Sequence, residues 1–341
     1  MKIIILVTGL FLLGACDSKK IITTDAGTKN SDAKELLIYS GRKEEYSIKL
    51  FKAFTDKTGI KIRVKQGKTS QLANLLINEG ANSKVDLFFA QDSSNLGALS
   101  AKGLFSQLPP EITAKVARSY RSQKNEWVGT SGRARVLVYN KKKVKVEDLP
   151  KSMHDLTDPK WKGRLGWAIK NGSFQSHITA MIQVEGKEKT IAWLKAMKAN
   201  NIGNYEKNSP IVKAVAKGEI DAGLVNHYYL YKIRKDLAEA EDAENHFFAD
   251  GDIGMFVNIS GVALMKNSKN KKAALLFIEF LLSKEAQELF KTVNYEYPLA
   301  AGVEAYKELK SLKSFKPVDC SLEDLDKIME TKKALDAAGC L

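Results

Sequence analysis

Cysteine, proline and histidine are scarce in this 341-residue chain, which has 3 Cys, 7 Pro and 4 His. Three thiols cannot build a disulfide scaffold, and a Cys-rich zinc module is excluded with it. The four imidazoles, at positions 154, 177, 227 and 246, show no ligand spacing and leave zinc unsupported. Low proline and 44% hydrophobic residues exclude a collagen-like, low-complexity or disordered chain. Beyond the N-terminus, no stretch approaches the 18 uninterrupted apolar residues of a membrane-spanning helix. The G-x-S-x-G elbow, the H-E-x-x-H helix and the dinucleotide G-x-G-x-x-G are missing as well. Gly67-Lys68-Thr69-Ser70 looks like the end of a phosphate loop, but Ile62 stands where that loop needs its first Gly. The segment therefore reads as a loop with Ser70 as a helix cap. With no catalytic motif left, the chain is not expected to be an enzyme.

Positive charge is abundant. Lys+Arg number 54 against 40 Asp+Glu, a formal net charge of +14 that favours an anionic partner without naming one. Residues 1–15 (MKIIILVTGLFLLGA) form a charged start, a short apolar run and a small-residue end, the pattern of an export signal. Leu13-Gly14-Ala15-Cys16 resembles a bacterial lipobox, which would make Cys16 the lipid-bearing mature N-terminus. Residues 16–34 are polar and suit a flexible, lipid-anchored tether. Asp17 resembles the signal for retention at the inner membrane in diderm bacteria. The expected location is thus outside the cytoplasm, tied to the periplasmic face of the inner membrane or to the cell surface. Lysine runs such as 141–143 read as solvated faces, and an exported chain is not expected to bind nucleic acid.

A chain of this length exceeds a single core, so two lobes are expected. LLIYS (36–40), IKIRV (60–64) and VDLFFA (85–90) read as strands, separated by helices with Gly59, Gly80 and Gly103 as stops. In the first helix Ile48, Phe51, Phe54 and Thr55 are expected on the buried face. WVGTSGRARVLVYN (127–140), GRLGWAI (163–169), IDAGLVN (220–226) and MFVNISGVALM (255–265) supply further strands, with helices at 175–185, 188–200, 208–218 and 271–282. Short strand–helix–strand repeats argue for an α/β fold with mostly parallel sheets. The expected boundaries are 35–134 plus 259–312 for the first lobe and 135–258 plus 313–341 for the second. Cys320 and Cys340 bracket a C-terminal helix too long for a disulfide to span, so they are expected free or weakly paired.

The strand at 220–226 ends in Val225-Asn226-His227-Tyr228-Tyr229-Leu230-Tyr231. Open α/β sheets bind ligands beyond the carboxyl ends of their strands, which puts two adjacent tyrosines at such a place. By position alone, a tyrosine pair also suits a core that satisfies its hydroxyls. LLIYSGRKEE (36–45), WVGTSGRARVLVYN (127–140), DPKWKGRLGW (158–167), KNSPIVKAVAKGEID (207–221), VNHYYLY (225–231) and YEYPLAAGVE (295–304) resemble the ferric-ion-binding proteins of bacterial ABC importers.

That resemblance covers roughly residues 35–338 and implies a two-lobed periplasmic-binding-protein fold, with a ligand cleft between lobes. The fold would close on Fe3+ together with carbonate or phosphate, and the protein, a monomer, would deliver the iron to a membrane permease. Tyr228 and Tyr229 match the family's paired phenolate ligands. Arg133 and Arg135 match its arginines near the anion, and Asn171, Gly172, Ser173, Asn208 and Asn226 match positions that hold it. Where relatives carry a His ligand this chain has Lys43, and the following Tyr is Glu44, the candidate first-lobe ligand. Gln91 replaces a Glu ligand of one subgroup, and Phe174 a third Tyr of another. Hard trivalent iron suits anionic oxygen donors, and two phenolates leave one charge for an anion to neutralise. The alternative keeps the fold and changes the cargo to a polyamine, phosphonate or sugar phosphate.

Overall fold

The computed structural model describes residues 33–325 and 328–341. The expected signal segment and Cys16 lie outside the described residues. Apolar runs and glycine stops give β1 (Glu35–Ser40), α1 (Glu44–Thr58), β2 (Lys61–Gln66), α2 (Thr69–Glu79), β3 (Leu87–Ala90), α3 (Ser93–Ala101) and a one-turn α4 (Pro110–Thr113). β4 (Trp127–Asn140) follows, then β5 (Leu165–Trp167), α5 (Gly172–Glu185), α6 (Lys187–Ala199), β6 (Gly203–Asn204), α7 (Asn208–Ala216), β7 (Ala222–Asn226), α8 (Tyr228–Arg234) and β8 (Ala243–His246). The chain continues through β9 (Val257–Leu264), α9 (Lys271–Leu281), α10 (Lys284–Asn294), β10 (Tyr297–Pro298) and α11 (Ile328–Ala337). α1 stops where expected, since Gly59 takes the left-handed conformation at φ 73° and its N–H closes on the Thr55 carbonyl at 2.8 Å.

The strands run in the order β2-β1-β3-β9-β4-β7-β5-β6, with β10 and β8 also on β4. Pairing is parallel at both ends, β1 with β2 and β3, and β5 with β6 and β7. The middle is antiparallel, because β4 and β9 run against every strand they pair with. All fourteen residues of β4 are buried. It changes partners part-way along: up to Ala134 it pairs with β9, and from Arg135 it pairs with β7 and then also β8. One strand is therefore common to both groups of strands.

Three local expectations are corrected. The buried face of α1 is Tyr46, Ser47, Leu50 and Phe54, while Ile48 is 52% exposed. Positions 46, 50 and 54 follow the i, i+4, i+8 row, and the helix turns so that Phe54 meets Phe277 edge-on at 5.0 Å. Ser70 is not the cap of α2, which starts one residue earlier. The Thr69 hydroxyl there accepts the Gln91 N–H at 3.4 Å. The C-terminal helix covers only Ile328–Ala337, so Cys320 lies well before it, and both Cys320 and Cys340 are free thiols.

His177 on α5 is fully buried, with its ring stacked on Phe256 at 5.5 Å and Nε2 donating to the Ile253 carbonyl at 2.7 Å. Burial, helped by the charge of Arg135, pulls its pKa from 6.5 to about 3. The fold thus favours the neutral ring, and the unfolded chain binds one more proton between those values. Stability from this site is full above pH 6.5 and is lost as pH falls towards 3, at up to about 1.4 kcal/mol per pH unit. Urea unfolding midpoints measured across that range should show this slope, and His177→Gln should flatten it.

Candidate metal centre

β7 ends at Asn226, and two residues later the chain is already in α8, so the turn is too tight to carry Tyr228 away from the strand end. The His227 N–H donates to the Ala134 carbonyl at 3.0 Å, tying the turn to β4. The His227 ring is fully buried. Its Nδ1 accepts the Ala134 N–H at 3.1 Å, and Nε2 donates to the Tyr295 carbonyl at 2.8 Å. Both nitrogens are committed to backbone, and the ring packs edge-on against Tyr228 at 5.7 Å. His227 therefore braces the tyrosine and offers no lone pair to a metal.

Tyr228 and Tyr229 lie with ring centroids 4.4 Å apart at an interplanar angle of 28°. Tyr228 is 3% exposed and Tyr229 is half-buried. Burial pushes the Tyr228 phenol well above 10; Tyr229 and Tyr46 add to the rise, and Arg133 opposes it. Left alone, this phenol keeps its proton at neutral pH. A strongly charged cation is what would displace it.

Arg133 and Arg135 are two apart on β4 and so share a face of the strand. Arg133 donates to the carbonyls of Gln91 and, at 3.1 Å, Ile259. Arg135 is opposite Asn226 in the β4–β7 register and donates through Nη1 to the side-chain oxygens of Asn226 at 3.1 Å and Asn208 at 3.4 Å. Its Nε and Nη2 have no partner, nor does Nδ2 of Asn208, although both residues are 1% exposed. Burial pulls the Arg135 guanidinium down to about 9, against the pull of Tyr228 and Tyr229, so it stays charged at neutral pH. Buried donors without partners are groups that an anion would satisfy.

The remaining expected residues are placed differently. Asn171 caps α5, its side-chain oxygen accepting the Ser173 N–H at 3.0 Å and the Ser173 hydroxyl at 2.6 Å. Gly172 is exposed with open space where a Cβ would stand. This turn is linked to Arg135 through Phe174, whose ring lies 5.5 Å from the guanidinium. Glu44 is exposed on the first turn of α1, among Lys43, Glu45 and Ile48. The carboxylates whose charges reach Tyr46 and Lys232 are those of Glu296 and Glu45, and not that of Glu44. Among the described residues, no three His, Cys, Asp or Glu side chains are grouped to hold a metal ion.

Four residues at this centre were not singled out from the sequence. Arg42 and Glu296 are fully buried and form a bidentate pair at 3.1 and 2.8 Å, with the Ser131 hydroxyl donating to the same carboxylate at 2.6 Å. Burial alone would raise the Glu296 carboxyl; Arg42, Arg133 and Ser131 outweigh it and hold it below its usual range. Tyr46, 5% exposed, meets Tyr228 edge-on at 6.4 Å. The Lys232 ammonium, one helical turn after Tyr228, sits 3.6 Å from the centre of the Tyr46 ring. The i, i+4 row of α1 was the available signal for Tyr46; nothing local pairs residue 42 with residue 296.

The family model for bacterial extracellular solute-binding proteins matches residues 40–288. This chain belongs to that family. It is a solute-binding protein of transport rather than an enzyme, with the family's two-lobed fold. The Fe(3+)-binding periplasmic protein of Serratia marcescens is 33% identical to it over 299 residues, 86% of this chain and 88% of that one. The iron-bound crystal structure of HitA from Pseudomonas aeruginosa matches at a TM-score of 0.82 and 36% identity, covering 89% of this solute-binding protein and 99% of HitA. A Trichodesmium protein (IdiA, FutA) in complex with iron and citrate matches at 0.79 and 33% identity, covering 90% and 100%.

The buried Arg42–Glu296 pair yields a stability prediction. Glu296→Ala leaves a guanidinium uncompensated and should cost about 3–5 kcal/mol in urea unfolding. The double replacement Arg42→Met/Glu296→Leu should recover most of that loss.

Proposed function

We propose that this solute-binding protein binds ferric iron through Tyr228 and Tyr229 as phenolates, together with a small anion such as carbonate or phosphate, and delivers it to the permease of an ABC importer. The observation that carries this reading is the stacked tyrosine pair beside the unpartnered donors of Arg135 and Asn208. A hard cation and an oxyanion satisfy both at once: iron takes the phenolate oxygens, and the anion takes the buried N–H groups and completes the charge balance. Arg135 and Asn208 hold the anion directly in this reading, with Asn226 orienting Arg135 and Arg133 adding charge from behind. Asn171, Gly172 and Ser173 complete the anion side, and Glu44 remains a candidate ligand from the rim.

The iron-named relatives support the cargo, and the citrate beside iron in the Trichodesmium structure supports a companion oxyanion. We place the lobes at 35–134 plus 259–312 and 135–258 plus 313–341, a division supported by the change of partners between Ala134 and Arg135. Each lobe would supply part of the shell, so cargo favours the closed state. Each phenolate formed releases a proton, and retention therefore weakens as pH falls. The protein would act as a monomer held to the membrane by lipid on Cys16.

Adding ferric nitrilotriacetate to the wild type should produce a broad visible tyrosinate-to-iron band, absent in Tyr228→Phe/Tyr229→Phe. In the same titration Arg135→Ala should lose iron mainly when carbonate and phosphate are limiting. No colour in the wild type would favour the polyamine, phosphonate or sugar phosphate alternative. Separately, Cys16→Ser should abolish labelling by a fatty-acid analogue and release the protein from membranes; labelling that persists would refute the anchor.

A further inference from the structure

Resting on the lipid-anchor reading above, we propose that a lysine-lined recess at the amino end of β1 docks on an anionic phospholipid bilayer and sets how the anchored protein stands on the membrane. The recess has a volume of about 730 Å³ and is lined by Lys84, Lys266, Lys269 and Lys271. All four are exposed, and none forms an ion pair among the described residues. The one acidic group in the lining, Asp86, is 2% exposed and is used internally. Its carboxylate accepts the Leu37 N–H at 2.9 Å, the Ser268 hydroxyl at 2.6 Å and the Asn270 amide at 3.2 Å. Asp86 thus ties β1 to the segment that carries Lys266, Lys269 and Lys271. The Asn267 amide ties that segment to the Ala81 carbonyl at 3.2 Å, beside the turn that carries Lys84. The lysines are therefore held on one frame rather than on separate loops.

Chain connectivity selects the partner. Residues 16–32, the expected tether, enter the fold at this end through Ala33 and Lys34. The Asn270 amide donates to the Glu35 carbonyl at 3.5 Å, so a residue of the recess holds the entry point. A tether of that length keeps this end within at most about 60 Å of an acylated Cys16. Lys34 and Lys61, joined by a backbone hydrogen bond of 3.0 Å, add two more exposed ammonium groups. Exposed Glu35 beside them is engaged by Arg63 at 3.3 Å. Each ammonium within a Debye length of an anionic bilayer favours the docked state by about fivefold, and salt removes the effect. No large apolar side chain lines the recess, which suits headgroups and not acyl chains. The six residues of β1 then lead about 20 Å away from the lipid, towards Arg42 beside Tyr46, so docking keeps the candidate metal centre clear of the bilayer.

Full-length protein extracted from membranes is added to preformed phosphatidylcholine vesicles with or without phosphatidylglycerol. It is then labelled with a membrane-impermeant acetylating reagent and read by peptide mass spectrometry, which also reports the lipid on Cys16. Acetylation of Lys84, Lys266, Lys269 and Lys271 should fall about threefold or more on the anionic vesicles and recover in high salt. Lys141 and Lys213, exposed elsewhere, should not change. Two variants of equal charge separate location from net charge: Lys84→Gln/Lys266→Gln/Lys269→Gln/Lys271→Gln and Lys141→Gln/Lys145→Gln/Lys213→Gln/Lys217→Gln. Only the first should lose the salt-sensitive protection of Lys34 and Lys61. Equal acetylation on both kinds of vesicle, or equal loss in both variants, would overturn the docking surface and leave the anchor standing. Protection by inorganic phosphate without vesicles would overturn the bilayer in favour of a soluble anion. Protection of a chain without lipid would overturn the anchor alone, and a chain with neither lipid nor vesicle association would overturn both.

Discussion

Three guanidinium groups, those of Arg42, Arg133 and Arg135, are taken out of water around one junction, and much of the surrounding structure answers that cost. The three are compensated differently. Arg42 has a full carboxylate partner in Glu296. Arg133 is turned to the carbonyls of Gln91 and Ile259. Arg135 has only the amide oxygens of Asn208 and Asn226, leaving two of its nitrogens without partners and its charge uncancelled. On the proposed reading, a site left electropositive in this way suits an anion, and its charge also eases the loss of protons from the neighbouring phenols.

The same arrangement suits the proposed metal site, which has few conventional ligands. Phenols buried at 3–5% exposure are neutral and harmless to the apo fold, whereas buried carboxylates without partners would repel each other. The fully buried carboxylate there, that of Glu296, is locked to Arg42 and Ser131. Positive charge also faces the rings from Lys232, whose ammonium is pulled by burial to about 8 and supported by Glu296 and Glu45. Stacking, edge contacts and cation–π contacts hold the rings in register without demanding that any oxygen be ionised.

β4 makes this possible mechanically. One strand carries Gly129 and Gly132 through the region paired with β9 and β10, then Arg135 into the region paired with β7 and β8. Arg133 and Arg135 therefore sit at the changeover, on the same face, and Asn226 reaches Arg135 because the register puts them opposite each other. The turn at His227 is stitched to Ala134 of that strand, so the tyrosines follow β4 as well. A loop-borne site would lack this shared reference.

The alternation of strands and helices, the glycine stop of α1 and the tyrosine pair at the end of β7 were all legible in the sequence. They are local: strand and helix periods, a left-handed glycine and the end of a buried strand are set by residues within a few positions of one another. The face of α1 was not legible, because Leu50 and Ile48 are both apolar and the buried side is set by packing against distant residues, such as Phe277 beside Phe54. Nor were Tyr46 beside Tyr228, or Arg42 paired with Glu296 across 254 residues. Such pairings depend on the order in which distant strands come together, and chain topology rather than local preference fixes that order.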